Sequence, residues 1–357
     1  MARKNETRNV LVTRFSALGD VAMTLPVVYD ACAANPAMNF VMLTRPLPAK
    51  MFLCPPPNLK VVAVNLNDYK GIAGMRRLLA EMVDKHGIDT VVDLHDVLRT
   101  KLIRLFARMR GLRVAGIDKG RKARKALTRQ SKKAVVQLTP MPTRYRETFD
   151  KAGIYVAESF KSLFPSGNAD LNASEFNLNL SKGEETWLAI APFAAHDGKI
   201  YPTHLMERII DHYAELPGFR IFVFGAGQKE EKEIERMAKG RGNVVSMAAK
   251  NLGLPAELAL MSNCDTMLAM DSANMHLASL VGLRTVSVWG ATHPFTGFYG
   301  FRQDIADAVQ LEMVCRPCSI FGNKPCRRHD YHCLNGISPS LIISRIDAKL
   351  KSVKSNE

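Results

Sequence analysis

The sequence predicts an α/β protein built from two doubly wound parallel-sheet domains. Apolar strand-like runs alternate with amphipathic helix-like runs along most of the 357 residues, which is the pattern of βαβ units and a parallel sheet. The alternation stops once, at a basic run followed by a Ser-, Asn-, Gly- and Asp-rich stretch, and then resumes. Because the chain is longer than one typical domain, the two halves are predicted to be separate domains.

The first half is predicted to contain five strands and four helices in alternation. The predicted strands are Asn9–Thr13, Phe40–Thr44, Val61–Asn65, Thr90–Leu94 and Arg113–Ile117. The predicted helices are Val21–Ala34, Gly74–Lys85, Val97–Met109 and Thr143–Ala152.

The second half repeats this architecture. The predicted strands are Trp187–Ala191, Arg220–Phe224, Val244–Met247, Thr266–Ala269 and Thr285–Val288. The predicted helices are Pro202–Ala214, Lys229–Lys239, Pro255–Cys264, Asn274–Val281 and Pro339–Val353. We therefore predict domains at residues 1–165 and 183–337, a linker at 166–182, and a C-terminal helix within 338–357 that packs back on the first domain.

Composition indicates a folded protein that is attracted to polyanions. Hydrophobic residues make up 47% and charged residues 23% of the chain, and the formal net charge is +15. No apolar run is long enough to span a bilayer, and the polar start, Met1 to Arg8, lacks the apolar core of a signal peptide. We expect a cytoplasmic protein.

The positive charge is densest between Lys119 and Lys133. This run contains eight basic residues and no acid. It is either a solvated face or mobile loop, or a docking segment for acidic head groups, since basic residues are attracted to an anionic surface.

Two strand-to-helix turns each carry an acid. Arg14 to Asp20 follows the first strand, and Met270 to His276 follows a strand of the second half. Open α/β sheets bind ligands at the carboxyl ends of their strands, so both turns are candidate site segments. Asp20 is a candidate general base, the alternative being a first-turn acid that stabilises its helix.

The second turn combines Asp271 with a helix start. Free N–H groups and the helix dipole favour an anion such as a nucleotide diphosphate at this place. Asp271 would repel phosphate, and it is better suited to accept hydrogen bonds from sugar hydroxyls. The structural alternatives are a helix cap for Ser272 and a core imidazole for His276.

Lys199 lies in a loop, Ala191 to Pro202, between a predicted strand and a predicted helix. A lysine there can neutralise a departing diphosphate, a role otherwise taken by a divalent metal. The sequence contains no Asp-x-Asp triplet of the kind that holds a sugar-nucleotide metal. Metal-independent stabilisation of the leaving group is therefore favoured.

A glycine pair after one strand, Gly225-Ala226-Gly227, is a weak dinucleotide signal. The third glycine of a G-x-G-x-x-G motif would fall at position 230, where the sequence has Glu230. An acid at that point is a candidate for holding a ribose instead.

Together these segments resemble glycosyltransferase family 9, which contains the ADP-heptose:lipopolysaccharide heptosyltransferases. The resemblance rests on Arg14 to Asp20 with Thr24-Leu25-Pro26, the loop ending at Lys199, Asp271 to Ala278, and Trp289 to Pro294. It implies a GT-B fold, in which two Rossmann-like domains face a central cleft. The first domain would bind the acceptor and the second the nucleotide-sugar.

The resemblance also implies roles for individual residues. Asp20 resembles the family's catalytic base, Lys199 its donor-phosphate lysine, and Asp271 the acid that holds the sugar. The remaining donor-side residues are Ser272, Ala273, Asn274, Met275, His276, Thr292, Phe193 and Glu230, and the acceptor-side residues are Arg14, Ser16 and Gly19. No metal ligand is implied.

The implied activity is an inverting, metal-independent transfer of a sugar, heptose from ADP-heptose, to a lipopolysaccharide-core or related glycolipid. No cofactor beyond the nucleotide-sugar donor is expected. The expected partners are that donor, a phosphorylated glycolipid and the anionic inner-membrane surface, where the cytoplasmic protein would bind peripherally. The alternatives are an NAD(P)-dependent oxidoreductase, which would share the sheet, and a basic nucleic-acid-binding protein, which would explain the basic run.

Four of the seven cysteines cluster near the C-terminus. They are Cys315, Cys318, Cys326 and Cys333, with two histidines nearby. Their spacing is compatible with structural zinc, with reduced thiols or with disulfides, and a cytoplasmic location disfavours disulfides.

Overall fold

The computed structural model describes residues 8–250 and 252–354, which form two compact units. Unit 1 contains residues 8–121 and 139–163, and unit 2 contains residues 122–138 together with the described residues from 164 onward. Most of the basic run therefore belongs to unit 2. Residues 1–7, on which the signal-peptide expectation rests, and 355–357, at the end of the predicted C-terminal helix, lie outside the described residues.

Unit 1 is built on a five-stranded parallel sheet. Its strands are β1 (Asn9–Thr13), β2 (Asn39–Thr44), β3 (Leu59–Ala63), β4 (Thr90–Asp93) and β5 (Arg113–Gly116). They are arranged in the order β3-β2-β1-β4-β5. The direction of winding reverses between β1 and β4, which is the place where doubly wound sheets bind ligands at their carboxyl edge.

Helices α3 and α4 cover one face of this sheet. Their buried residues, including Leu78 and Ile103, form one core with Leu11 and Val41 of the strands. Helices α1 and α6 pack against each other. The helices of this part of the chain are α1 (Leu18–Ala34), α2 (Pro46–Ala49), α3 (Gly71–His86), α4 (Leu98–Met109), α5 (Arg121–Leu127) and α6 (Met141–Lys151).

Unit 2 is built on a six-stranded parallel sheet. Its strands are β6 (Thr186–Ala191), β7 (Phe219–Val223), β8 (Val244–Ser246), β9 (Thr266–Met270), β10 (Thr285–Trp289) and β11 (Ala308–Gln310). They are arranged in the order β11-β10-β9-β6-β7-β8, so the winding reverses between β6 and β9. Every residue of β6, β9 and β10 is buried, as expected for parallel strands covered on both faces.

The helices of unit 2 alternate with its strands and end in a long C-terminal helix. They are α7 (Thr203–Ala214), α8 (Gln228–Ala238), α9 (Leu254–Ser262), α10 (Ala273–Leu280), α11 (His332–Asn335) and α12 (Pro339–Lys354). No helix in the described ranges combines the length and the apolar character needed to cross a bilayer.

Two predicted segments have different surroundings from those expected. Residues 166–182, predicted as a linker, contain no helix or strand but belong to unit 2, where Ala169 and Leu171 are buried. Helix α12 packs on α7 and on β9, β10 and β11 of unit 2. Ile342 and Ile346 are four residues apart and therefore lie on the same side of α12. This side is buried in the core of unit 2.

Candidate active site

In unit 1 the turn after β1 holds Asp20 against a buried arginine. Arg14 Nη2 lies 2.7 Å from Asp20 Oδ2, and Arg14 Nη1 donates to the carbonyl of Leu94 at 2.7 Å. Asp20 Oδ2 also accepts from the backbone N–H of Ala17 at 3.2 Å. Asp20 therefore caps the first turn of α1, as the structural alternative expects, and it is also oriented by a cation that ties it to the end of β4.

Residues at the end of β4 form hydrogen bonds with the end of β1 and with the turn that follows it. Asp93 Oδ1 accepts from Thr13 Oγ1 at 3.2 Å and from the backbone N–H of His95 at 2.8 Å. His95 Nδ1 lies 3.4 Å from the backbone N of Phe15, which donates to it. Burial, reinforced by the nearby charge of Arg14, lowers the pKa of His95 to about 3. The ring is therefore neutral at physiological pH, and these contacts hold the β1 turn against β4.

Cations surround the carboxyl edge of this sheet. Asp96 lies 2.9 Å from Arg104 and 2.7 Å from Arg121. Lys119, after β5, is half-buried and forms no hydrogen bond or ion pair with any residue that the structure describes. Burial and then the charge of Arg14 lower the pKa of Lys119 to about 8. No feature of the sequence distinguishes Lys119 from the rest of the basic run.

The other two acceptor-side candidates lie in the same turn. Ser16 and Gly19 are partly exposed, between buried Phe15 and the capping carboxylate of Asp20. The structure thus places Arg14, Ser16, Gly19 and Asp20 together at the switch point of unit 1.

In unit 2 three candidates meet in one contact at the corresponding edge. Lys199 Nζ lies 2.9 Å from Asp271 Oδ2, and Thr292 Oγ1 donates to the same oxygen at 2.7 Å. Asp271 follows β9, Lys199 lies in the loop after β6, and Thr292 follows β10. Adjacent parallel strands deliver their carboxyl ends to one edge, which is why residues so far apart in sequence converge. Asp271 and Thr292 are buried.

The start of α10 completes this edge. Ser272 precedes the helix but makes no capping hydrogen bond through its side chain. Its buried Oγ has no hydrogen-bond partner among the described residues, so the helix-cap alternative is not what the structure shows. Ala273 and Asn274 are partly exposed, whereas Met275 and His276 are buried. Met275 is a core side chain, and only its backbone is available to a ligand.

Two further donor-side candidates lie around the same sheet. Phe193, in the loop after β6, is partly buried against the core of unit 2. Glu230 lies in the first turn of α8, and its Oε2 accepts from the backbone N–H of Ala226 at 2.9 Å. Its carboxylate therefore holds the Gly225–Gly227 turn closed, a role that the sequence did not predict.

A buried arginine that the sequence did not single out supports the Thr292 loop. Arg316 donates from Nε to the carbonyl of Gly290 at 2.5 Å and from Nη2 to the carbonyl of Thr292 at 3.0 Å. It also donates to the carbonyl of Leu311 and to Gln310 Oε1. All four acceptors are neutral, and burial lowers the pKa of Arg316. In the sequence Arg316 stands between Cys315 and Cys318, where the spacing of the cysteines is the stronger signal.

The cysteine-rich segment forms one wall beside Lys199. The backbone N–H groups of Cys318 and Ser319 donate to the carbonyl of Ala291. A Cβ placed on Gly322, whose φ is +75°, would come within 2.6 Å of Lys199 Cγ. On its outer side, Lys133 Nζ donates to the carbonyls of Val314, Cys315 and Pro317 at 2.7 to 3.2 Å. Lys133, from the basic run, therefore anchors this segment.

All seven cysteines are free thiols in the structure. Burial raises the pKa of Cys318, and it raises the pKa of Cys333 to about 11. Within residues 8–250 and 252–354 no three His, Cys, Asp or Glu side chains are grouped so that they could hold a metal ion. Of the three states predicted for this cluster, the structure shows no disulfide among Cys315, Cys318, Cys326 and Cys333.

Comparison with known proteins identifies relatives for most of the chain. Residues 76–323 match the family model described as glycosyltransferase family 9 (heptosyltransferase). The chain is 23% identical over 374 residues to lipopolysaccharide heptosyltransferase 1 of Pseudomonas aeruginosa, covering 96% of this chain and 98% of that protein. It is 27% identical over 135 residues to lipooligosaccharide heptosyltransferase 2 of Campylobacter jejuni, a match that spans only 41% of that relative's length.

Solved structures show the same fold. A family 9 glycosyltransferase from Veillonella parvula superposes with a TM-score of 0.73 at 18% identity, covering 98% of this chain and 99% of that one. The E. coli heptosyltransferase WaaC with ADP gives a TM-score of 0.64 at 20% identity, with coverages of 96% and 99%. The prediction of a GT-B fold with two parallel-sheet α/β domains is confirmed.

Proposed function

The chain belongs to glycosyltransferase family 9 (heptosyltransferase), and we propose that it transfers heptose from ADP-heptose to a lipopolysaccharide-core or related glycolipid acceptor. We further propose that transfer inverts the anomeric carbon and requires no metal ion. The names of the relatives support the donor and acceptor classes. The observation that carries the site assignment is the contact of Lys199 and Thr292 with Asp271 at the switch point of unit 2.

On the donor side, Lys199 supplies the positive charge for the diphosphate. The start of α10 presents backbone N–H groups to the same region, and helix starts favour anions. Asp271 is held by Lys199 and Thr292 in a position to accept from sugar hydroxyls. As the bond between the anomeric carbon and the diphosphate oxygen breaks, the developing negative charge of ADP is stabilised by Lys199 and these N–H groups.

On the acceptor side, Asp20 acts as the general base. Its carboxylate takes the proton of an acceptor hydroxyl, and that oxygen forms the new bond to the anomeric carbon from the face opposite the departing ADP. A single displacement of this kind inverts the stereochemistry. Arg14 is a positioning residue, since it fixes the carboxylate without itself exchanging a proton.

The proposed setting is the cytoplasm, with peripheral binding at the inner face of the membrane where a lipid-borne acceptor is available. The oxidoreductase alternative lacks the third glycine of its dinucleotide motif, because Glu230 occupies that position and closes the turn itself. No observation in the described residues favours nucleic acid as a substrate.

The function is tested by titrating the purified protein with ADP, UDP, GDP and NAD by calorimetry, followed by a transfer assay. Selective ADP binding, and transfer from ADP-heptose to a heptose-free lipopolysaccharide precursor in the presence of a chelator, are the expected results. NMR of the product should show an inverted anomeric centre. Preferential NAD binding, a retained anomeric configuration or loss of activity with the chelator would each contradict the corresponding part of the proposal.

A further inference from the structure

Helix α4 has apolar residues on two opposite sides. One side, Thr100, Ile103 and Ala107, is buried against the sheet of unit 1. On the other side Leu98, Leu105 and Met109 are exposed, with 76%, 49% and 74% of their surface accessible. These three residues recur at intervals of seven and four, which places them along one line of the helix. A globular domain needs only the first of these sides for its core.

The neighbouring helix α3, which packs beside α4, adds one more exposed apolar residue. Ile72 is 65% exposed at the start of α3. An open groove of about 610 Å³ runs between the two helices, lined among others by Ile72, Ala73, Ala80, Phe106, Arg76 and Arg110. Several large apolar side chains exposed on two neighbouring helices are unusual on a protein that meets only water, and they mark an interaction site.

Basic residues flank the apolar line, and α4 contains no acid. Arg99 and Arg110 lie on one flank, and Lys101 and Arg108 lie on the other; all four are exposed. The remaining cation of α4, Arg104, turns inward to Asp93 and Asp96. An apolar line between two rows of exposed cations is the pattern of helices that lie in a membrane interface.

We propose that this surface of α3 and α4, which we term the α4 face, docks unit 1 on an anionic phospholipid bilayer. The apolar side chains would enter the head-group boundary, and the flanking cations would contact the lipid phosphates. A second copy of the chain fits less well, because a symmetric pair would bring the same cations against one another. The inference rests on the proposed function only in that a lipid-borne acceptor gives such docking its purpose.

The basic run from Lys119 to Lys133 is a poorer docking element than the sequence implied. Its last member, Lys133, donates hydrogen bonds to three carbonyls of the cysteine-rich segment. Arg124 lies over the ring of Phe298, 4.6 Å from its centre. These contacts use part of the run to hold unit 2 together. Of the four cations that flank the apolar line of α4, Lys101 lies 3.9 Å from Asp96 Oδ1, a long contact that leaves its side chain 50% exposed.

The test is co-sedimentation of the full chain with phosphatidylcholine vesicles, with and without phosphatidylglycerol. Two double variants remove one component each: Leu105→Gln with Met109→Gln, and Arg108→Gln with Arg110→Gln. Each should lower the partition coefficient on the anionic vesicles by about tenfold or more, since apolar insertion and charge attraction contribute jointly. Matched controls are Leu47→Gln, which is also exposed in unit 1, and Lys232→Gln with Lys239→Gln, exposed in unit 2. The controls should bind as the parent does.

Three results would overturn the proposal. The α4 variants could bind vesicles unchanged, or binding could be lost only in the basic-run variant Lys122→Gln with Lys125→Gln and Arg129→Gln. Sedimentation equilibrium could instead show a dimer that the Leu105 and Met109 changes abolish. Vesicle binding needs no donor, whereas transfer to a delipidated acceptor saccharide tests the proposed function alone, and there the α4 variants should match the parent. Failure of either experiment therefore leaves the other interpretable.

Discussion

The two units place an acid at the same point of their sheets but surround it differently. Asp20 of unit 1 is paired with Arg14, and its side chain is 24% exposed. Asp271 of unit 2 is paired with Lys199 and is 6% exposed. An accessible carboxylate held by a buried guanidinium suits proton exchange with an incoming hydroxyl, whereas a buried carboxylate beside a lysine and a threonine suits the binding of a fixed ligand. One sheet architecture thus presents two acids in different surroundings, and this difference fits the separate roles proposed for them.

The largest effect is expected from a change of Asp20, which tests the role that the comparison gives to the acid of unit 1. Asp20→Asn keeps an acceptor for the Ala17 N–H but removes the base, so kcat should fall by about 10²- to 10⁴-fold while ADP affinity is unchanged. Steady-state kinetics together with calorimetry check this. Asp118→Asn, an exposed acid of the same unit, is the control and should behave as the parent. Full activity in Asp20→Asn would assign the base elsewhere.

The next largest effect is expected at Lys199. Lys199→Met keeps the aliphatic stem but removes the charge, so kcat should fall by about 10²- to 10³-fold and ADP binding should weaken, because leaving-group stabilisation is lost. Lys182→Met removes a similar lysine–aspartate pair, at 2.8 Å from Asp265, away from the site and is the matched control. Equal losses in both variants would mean that Lys199 serves stability alone.

Arg316 sharpens the comparison between the two buried arginines. Arg14 holds a carboxylate directly, whereas Arg316 holds only carbonyls and an amide around the Thr292 loop. Arg316→Lys keeps the charge but not the fork of donors, so the KM for the donor should rise about tenfold with a smaller change in kcat, as loss of one or two hydrogen bonds would predict. Arg241→Lys, another partly buried arginine of unit 2, is the control. If Arg316→Lys and Arg241→Lys changed kcat and KM by the same amounts, the effect would be general destabilisation.

The smallest effect is expected from Lys119, whose charge interacts with those of Arg14 and Asp20. Its pKa of about 8 means that it is charged below that pH and becomes neutral as the pH rises through it. If its charge helps to bind an anionic acceptor, kcat/KM for the acceptor should fall by a few-fold above about pH 8. In Lys119→Gln this alkaline limb should disappear and the activity at pH 7 should already be reduced. A limb that persists in the variant would have another origin.

The strands and most helices could be predicted because their signal is local. The predicted strand Asn9–Thr13 coincides with β1, and the other long elements match within a few residues. Strand β11, only three residues long, and the one-turn helices α2 and α11 carry too little periodicity to be recognised. Helix α5 lies in the basic run, where most residues are Lys or Arg and no amphipathic pattern can be recognised.

The site could be predicted in its members but not in its contacts. The family resemblance assigned Lys199, Asp271 and Thr292 to the donor side, and the structure brings them into contact. The contacts of Arg14 with Leu94 and of Phe15 with His95 join residues about eighty positions apart. They depend on β1 lying beside β4, an order that periodicity alone does not contain. Arg316 likewise joins Gly290 and Thr292, which follow β10, to Gln310 at the end of β11.

The absence of a side chain at Gly322 leaves room for the side chain of Lys199. The stem of Lys199 occupies the space that a side chain on residue 322 would need. A methyl group there, as in Gly322→Ala, would have to displace either the stem or the loop. Given the role proposed for Lys199, one added carbon that changes no charge should lower the activity, and natural variation at this position should be the narrowest in the cysteine-rich segment.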